Sequence, residues 1–265
     1  MLSRLPMPSR KSKPAAGDRA GRPPLPDVDD RHWAWFLDVD GTLLEITRHP
    51  DMVTADRALV TLLKRLNRAC GGAVALISGR SIEQLETIFN PLTLAAGASH
   101  GLELRMPDGS VRRLGRPLPE DAAARIAEFA ASHEGLLLER KPLSVSVHYR
   151  ERPELEPLVL ETLQRIHEGM DNDFRLLRGK MVVEITPAAA NKGSAIRTFM
   201  EMPPFAGRRP VFVGDDLTDE DGFLAVNEMG GISVRIGDSR ETAARWHFSS
   251  TAELRKWLHG SLYLL

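Results

Sequence analysis

A single cysteine, Cys70, stands among 265 residues, so no intrachain disulfide can form and the chain suits a reducing cytoplasm. Placed before Gly71-Gly72, Cys70 reads as a helix-end residue and not as a nucleophile. Charge of one sign is not in excess either: 35 Lys and Arg face 36 Asp and Glu, which leaves no net field to draw nucleic acid or an anionic membrane. No apolar run approaches the ~20 residues that cross a bilayer, and the first residues lack the unbroken apolar stretch of a secretory signal. These absences point to a cytosolic protein, a monomer, whose partner is a small molecule and neither nucleic acid nor membrane. Large apolar side chains are scarce in residues 1–30, where Pro6, Pro8, Pro14, Pro23, Pro24 and Pro26 stand among Ser, Arg and Lys. Too little surface can be buried there to offset the entropy of ordering, so residues 1–30 are expected to form a disordered tail outside the fold.

From Trp33 onward, short apolar runs end in Gly-containing turns and alternate with helical patterns, as βαβ units of a parallel sheet do. Residues 35–39, 73–77, 93–96, 210–213 and 232–236 are the expected core strands. Ala58, Leu59, Leu62, Leu63 and Leu66 recur at helical spacing after the first, and Ile82, Leu85, Ile88 and Phe89 after the second. The middle breaks the rhythm. Pro107-Asp108-Gly109-Ser110 reads as a hairpin turn; a helix (120–133) then precedes strands 136–141 and 144–149, and a second helix (155–170) precedes strands 174–177 and 181–185. A chain of this length sits near the point where one core divides into two. The expected fold class is α/β, a doubly wound parallel-sheet core (31–108 and 187–265) carrying an inserted α+β cap domain (109–186).

Four segments carry chemistry. Asp38-Val39-Asp40-Gly41-Thr42 puts two carboxylates at the carboxyl end of the first apolar strand, where ligands bind in open α/β sheets. One acid can attack phosphorus while the other protonates the leaving oxygen and later activates water. Ser78-Gly79-Arg80 ends the second strand; Ser78 can cap the next helix and can also form part of a phosphate site at its N-terminus, and the two readings are compatible. Lys192, in Asn191-Lys192-Gly193, opens a helix whose dipole it opposes, which calls for a functional reason. Finally, Gly214-Asp215-Asp216-Leu217-Thr218-Asp219-Glu220-Asp221 crowds five acids into seven positions after an apolar strand. Such crowding needs a cation or solvent, and magnesium takes oxygen ligands of this kind, with Asp215 the best placed. Thr218 or Asp219 also suits the cap of the following helix.

In this order the four segments resemble the haloacid dehalogenase superfamily of phosphatases. The resemblance implies Asp38 as nucleophile, Asp40 as general acid and base, Ser78 and Lys192 on the phosphoryl group, and Mg²⁺ held by Asp38, the Asp40 carbonyl and Asp215. Within the expected cap, strand alternation sets Glu139 and Lys141 on one face and Ser144, Ser146, His148 and Arg150 on one face of the next strand, with Val145, Val147 and Tyr149 on the buried side. Leu138-Glu139-Arg140-Lys141, Ser146 to Arg150, Gly179 to Pro187 and the segment 96–105 are similar to those of the trehalose-6-phosphate phosphatase family. That likeness implies Glu139, Lys141 and Glu184 as ligands of sugar hydroxyls with Arg150 near the site, and it adds Thr42, Gly79 and Arg80 to the substrate contacts. His100 suits either the cleft or a structural turn. A phosphatase for another sugar phosphate, of the sucrose or mannosylglycerate type, a sugar phosphomutase and a non-catalytic regulatory subunit remain the alternatives at this point.

Overall fold

A computed structural model describes residues 23–24, 32–46, 53–179, 181–237 and 241–263. Most of the expected tail lies outside the described residues, but Pro23 is buried while Pro24 is exposed.

Eight strands form the larger sheet, in the order β12 (Trp246–Phe248), β11 (Ile232–Ile236), β10 (Arg209–Gly214), β1 (Trp33–Leu37), β2 (Val74–Ile77), β3 (Ala95–Ala98), β4 (Glu103–Arg105) and β5 (Val111–Arg113). The first six of these run parallel, and β4 and β5 are antiparallel additions at one edge. β1 sits at the centre because it is apolar on both faces: Ala34, Trp35, Phe36 and Leu37 are wholly buried. The chain leaves β1 toward β2 and β3 and returns on the other side through β10 and β11, which makes the β1/β10 boundary a topological switch point.

The helices follow from caps and stripes. α1 (Arg57–Ala69) starts at Asp56, whose carboxylate accepts the Leu59 N–H at 2.7 Å, and buries the expected Leu59, Leu62, Leu63 and Leu66, with Cys70 buried at its end. α2 (Ile82–Phe89), α5 (Lys192–Met200), α6 (Glu220–Glu228) and α7 (Thr251–Tyr263) cover the sheet with α1. Phe36 of β1 packs on Phe199 and Phe205 at ring distances of 6.2 and 5.4 Å, and Trp35 on Trp257 of α7 at 5.3 Å. Such aromatic pairs hold helices to both faces of one strand.

The turn at 107–110 forms as expected, closed by Met106 N–H to Ser110 C=O at 2.8 Å. Its second strand, however, is β5 of the larger sheet, so the smaller sheet begins only later, past residue 109. That sheet has the order β6 (Leu137–Arg140), β7 (Val145–His148), β9 (Val182–Pro187) and β8 (Phe174–Gly179), all antiparallel. α3 (Glu120–Ala131) and α4 (Glu156–Glu168) cover one face of it, where Ile126, Val147, Tyr149, Val159, Leu163 and Ile185 form a separate apolar cluster. The doubly wound α/β core and the α+β insertion are both present. Among the described residues no helix is long and apolar enough to cross a membrane.

Candidate active site

The carboxyl end of β1 delivers Asp38 to the switch point, its N–H bonded to the Val213 carbonyl of β10 at 2.9 Å. Asp38 is 4% exposed. Lys192 Nζ donates to Asp38 Oδ1 at 2.8 Å and to Asp219 Oδ1 at 2.6 Å, from a helix start that Asn191 caps and Ser194 closes with a capping box. The lysine that opposes the helix dipole is thus buried between two carboxylates. Burial alone disfavours its ammonium, but the charges of Asp219 and Asp38 outweigh that and hold it above the ordinary lysine range. Burial drives the Asp38 carboxyl well above the usual carboxylate range against the pull of Lys192, and Asp219 and Asp215 push it further.

Asp219 stands at the N-cap position of α6, but its side chain makes no cap bond there. Its Oδ2 accepts the Asp215 and Asp216 N–H groups at 3.0 and 2.9 Å, while Asp216 caps the short turn Leu217–Asp219. This fit depends on Gly214, where a β-carbon would lie 2.3 Å from Asp219 Cγ. Gly41 is as constrained: at φ +82° a β-carbon would lie 2.1 Å from Asp215 Oδ2. Asp38, Asp215 and Asp219 each offer an oxygen within 4.8 Å of the others. Three carboxylates so gathered offer oxygen donors of the kind a divalent cation takes. Both Asp219 oxygens are bonded inside the protein.

Ser78 is 1% exposed and faces the cavity, but it is not an N-cap: α2 begins four residues later, and Ser81 caps it. The run from Ser78 to Arg80 therefore lies in a loop before the helix. Arg80 grips Asp40 with two bonds, Nε to Oδ2 and Nη2 to Oδ1, both 2.7 Å. Thr42 is wholly buried and its hydroxyl lies 3.5 Å from Asp215 Oδ1. It supports Asp215 from behind and is not among the cavity-lining residues, unlike Gly79, Arg80 and Arg150.

A cavity of about 260 Å³ separates this cluster from the smaller sheet. Pairing aligns Glu139, Ser146, Glu184 and Leu177 in one row across β6, β7, β9 and β8, and all four line the cavity. The expected alternation holds, with Val145, Val147 and Tyr149 buried on the opposite face. Lys141 Nζ donates to the Gly79 carbonyl at 3.0 Å and lies 3.5 Å from Glu184 and 3.9 Å from Glu139. Ser144 donates to Glu184, and His100 Nε2 is 3.4 Å from the same carboxylate. His100 thus belongs to the cleft. Burial lowers its imidazole below the ordinary range, opposed by Glu184. Burial would raise both glutamates, yet the His148 bond and the Lys141 and Gln84 contacts hold Glu139 down to about 2, and Lys141 and His100 hold Glu184 below the carboxylate range. Both therefore stay ionised and can accept hydrogen bonds. Sequence patterning did not single out Gln84, His148 as the partner of Glu139, or Asp219 as the partner of Lys192; the Ser81-x-x-Gln84 spacing was the one available signal, and it announces only a helix start.

The chain is similar to known proteins. A family model described as trehalose-phosphatase matches residues 36–254. The probable trehalose-phosphate phosphatase of Sinorhizobium fredii is 40% identical over 244 residues, 90% of either chain, and the trehalose-6-phosphate phosphatase of Escherichia coli is 40% identical over 228 residues, 85% of either chain. The C-terminal domain of C. albicans trehalose-6-phosphate phosphatase superposes with a TM-score of 0.80 at 22% identity, over 91% of this chain and 96% of that one, which shows the shared fold. With the match running from the end of β1 into α7, and so through every strand and loop that builds the cavity, the chain belongs to the trehalose-phosphatase family.

Proposed function

We propose that the protein hydrolyses trehalose 6-phosphate to trehalose and inorganic phosphate, with the phosphoryl group carried in passing on Asp38. The observation that carries the reading is the pairing, across one cavity, of a buried Asp38–Lys192 centre with a row of ionised groups on the smaller sheet. An Asp38 oxygen forms a bond to phosphorus as the bond from phosphorus to the sugar oxygen breaks, and Asp40 gives its proton to that leaving oxygen. Asp40 then takes a proton from water, whose oxygen attacks the phosphorus of the acyl phosphate; inorganic phosphate leaves and the Asp38 carboxylate is restored. Lys192 and Ser78 hold non-bridging oxygens, and the bidentate Arg80 contact orients Asp40 at the cavity wall. Mg²⁺, held by Asp38, Asp215 and the Asp40 carbonyl, supplies Lewis-acid charge stabilisation to the phosphoryl group when bound. The core supplies this chemistry, and the insertion, which follows β5 and carries the smaller sheet, recognises the sugar. A cytoplasmic monomer acting on a small sugar phosphate fits the lone buried Cys70 and the balanced charge.

Glu139, Lys141 and Glu184 are the proposed ligands of sugar hydroxyls. Replacing any one with Ala removes a hydrogen bond to a charged group, about 1.5–3 kcal/mol, and lowers kcat/KM for trehalose 6-phosphate about ten- to hundredfold. A small aryl phosphate has no sugar hydroxyls, so its hydrolysis falls far less. Phosphate release on both substrates at saturating Mg²⁺, with circular dichroism on the same preparations, checks this. Equal damage to both activities would assign the three residues to support of the fold and remove the ground for the sugar reading.

A further inference from the structure

Gln84 occupies the third helical position of α2, and its side chain does two jobs at once. Ser81 N–H donates to Gln84 Oε1 at 2.9 Å, while Ser81 Oγ accepts the Gln84 N–H at 3.3 Å. A backbone N–H only donates, so the amide oxygen must face Ser81 and the NH₂ must face the other way. There Nε2 donates to Glu139 Oε1 at 2.7 Å, joining residues 55 apart across the cleft. The other Glu139 oxygen takes His148 Nε2 at 2.9 Å, from within the smaller sheet. Glu139 is therefore held by the core on one side and by its own sheet on the other.

The helix alone does not call for glutamine. At this position Glu accepts the same Ser81 N–H and adds a negative charge at the positive end of the helix dipole. Glu would, however, set a second carboxylate against Glu139. The contact across the cleft is what selects an uncharged donor here.

We infer that Gln84 is a positioning residue, which fixes the Glu139 carboxylate for a sugar hydroxyl and ties closure of the smaller sheet to the catalytic core. The inference rests on the reading of Glu139 as a sugar ligand given above. Q84E separates the two jobs because it keeps both capping-box bonds while the bridge becomes a contact between two carboxylates. Its Tm should lie closer to the parent's than that of Q84A does, while kcat/KM for trehalose 6-phosphate falls about ten- to hundredfold, mainly through KM, and aryl phosphate hydrolysis changes a few-fold at most. Lowering the pH should narrow the Q84E deficit, since two facing carboxyls take up a shared proton more readily than either alone and so regain a bond. Lys141 and His148 also face Glu139 and are present in parent and variant alike. Q84A, which loses the capping box as well, should show a lowered Tm and so report the helix contribution separately. An unchanged trehalose 6-phosphate rate in Q84E, or an equal loss on both substrates, overturns the inference. If the parent cleaves aryl phosphate but not trehalose 6-phosphate, the substrate reading falls by itself. Hydrogen exchange of the free proteins then decides on Gln84: faster exchange of the β6 amides in Q84E upholds the bridge, and identical exchange overturns it.

Discussion

Asp38→Asn is expected to abolish turnover of every phosphomonoester while the protein stays folded. The amide is no nucleophile toward phosphorus and brings no charge to a metal ion, so both the bond-forming step and the metal site are lost together. Folding should not suffer, because Asp38 is buried with its carboxyl driven upward by burial and by two neighbouring acids; removing that charge relieves repulsion, and Lys192 keeps Asp219. Thermal unfolding at or above the parent Tm, with no phosphate released, is the expected pair of results. Substantial residual turnover would sink the nucleophile assignment. Asp40→Asn offers a counterpart: with its base removed, the enzyme should accumulate phosphate on Asp38 whenever hydrolysis slows more than formation, and mass spectrometry of the quenched protein reads this directly.

Lys192→Met should damage both stability and activity. Its ammonium is the shared partner of Asp38 and Asp219, side chains that are 5% and 0% exposed, and methionine replaces the length of the side chain without its charge. Leaving buried carboxylates uncompensated costs about 3–5 kcal/mol, and loss of a fixed charge aimed at the phosphoryl oxygens lowers kcat by about 10²–10³. Arginine should not rescue it, since a planar guanidinium does not fit a point held by two carboxylates at 2.6 and 2.8 Å. Denaturation curves with and without Mg²⁺ would show part of the lost stability returning with the cation, because it substitutes charge for charge. A parent-like Tm in the metal-free variant would mean that the lysine does not balance the acids.

The division between what is local and what is not explains which features patterning found. The residue 232–236 strand coincides with β11, and the buried stripe of α1 is the one its spacing announces, because a long apolar period is a property of the segment itself. β4, β5 and β12 have three residues each, too few for any period to register, and only their pairing with neighbours makes them strands. Ala95–Ala98 ends two residues beyond the expected 93–96 strand, since a run of Ala and Gly carries no bulky side chain to mark its limits. Ser78 and Ser81 are both plausible caps three residues apart, and the choice falls to Ser81 because Gln84 completes its box.

By itself the sequence determined where charged residues stand relative to its strands and helices: carboxylates that follow apolar strands must emerge at strand ends, and a charged residue at a helix start must find a counter-charge. Only the tertiary structure decided who meets whom. Lys192 reaches Asp38 across 154 residues and Gln84 reaches Glu139 across 55, and no local period encodes either encounter. They follow from the order of the parallel strands, which brings β1 and β10 side by side, and from the seating of the smaller sheet, which turns its ionised row toward the carboxyl ends of that core. Buried charges demand partners whatever their distance in the chain, so the packing of α5 on the turn after β10 selected Asp219 for Lys192, and the seating of the smaller sheet on the core selected Gln84 for Glu139.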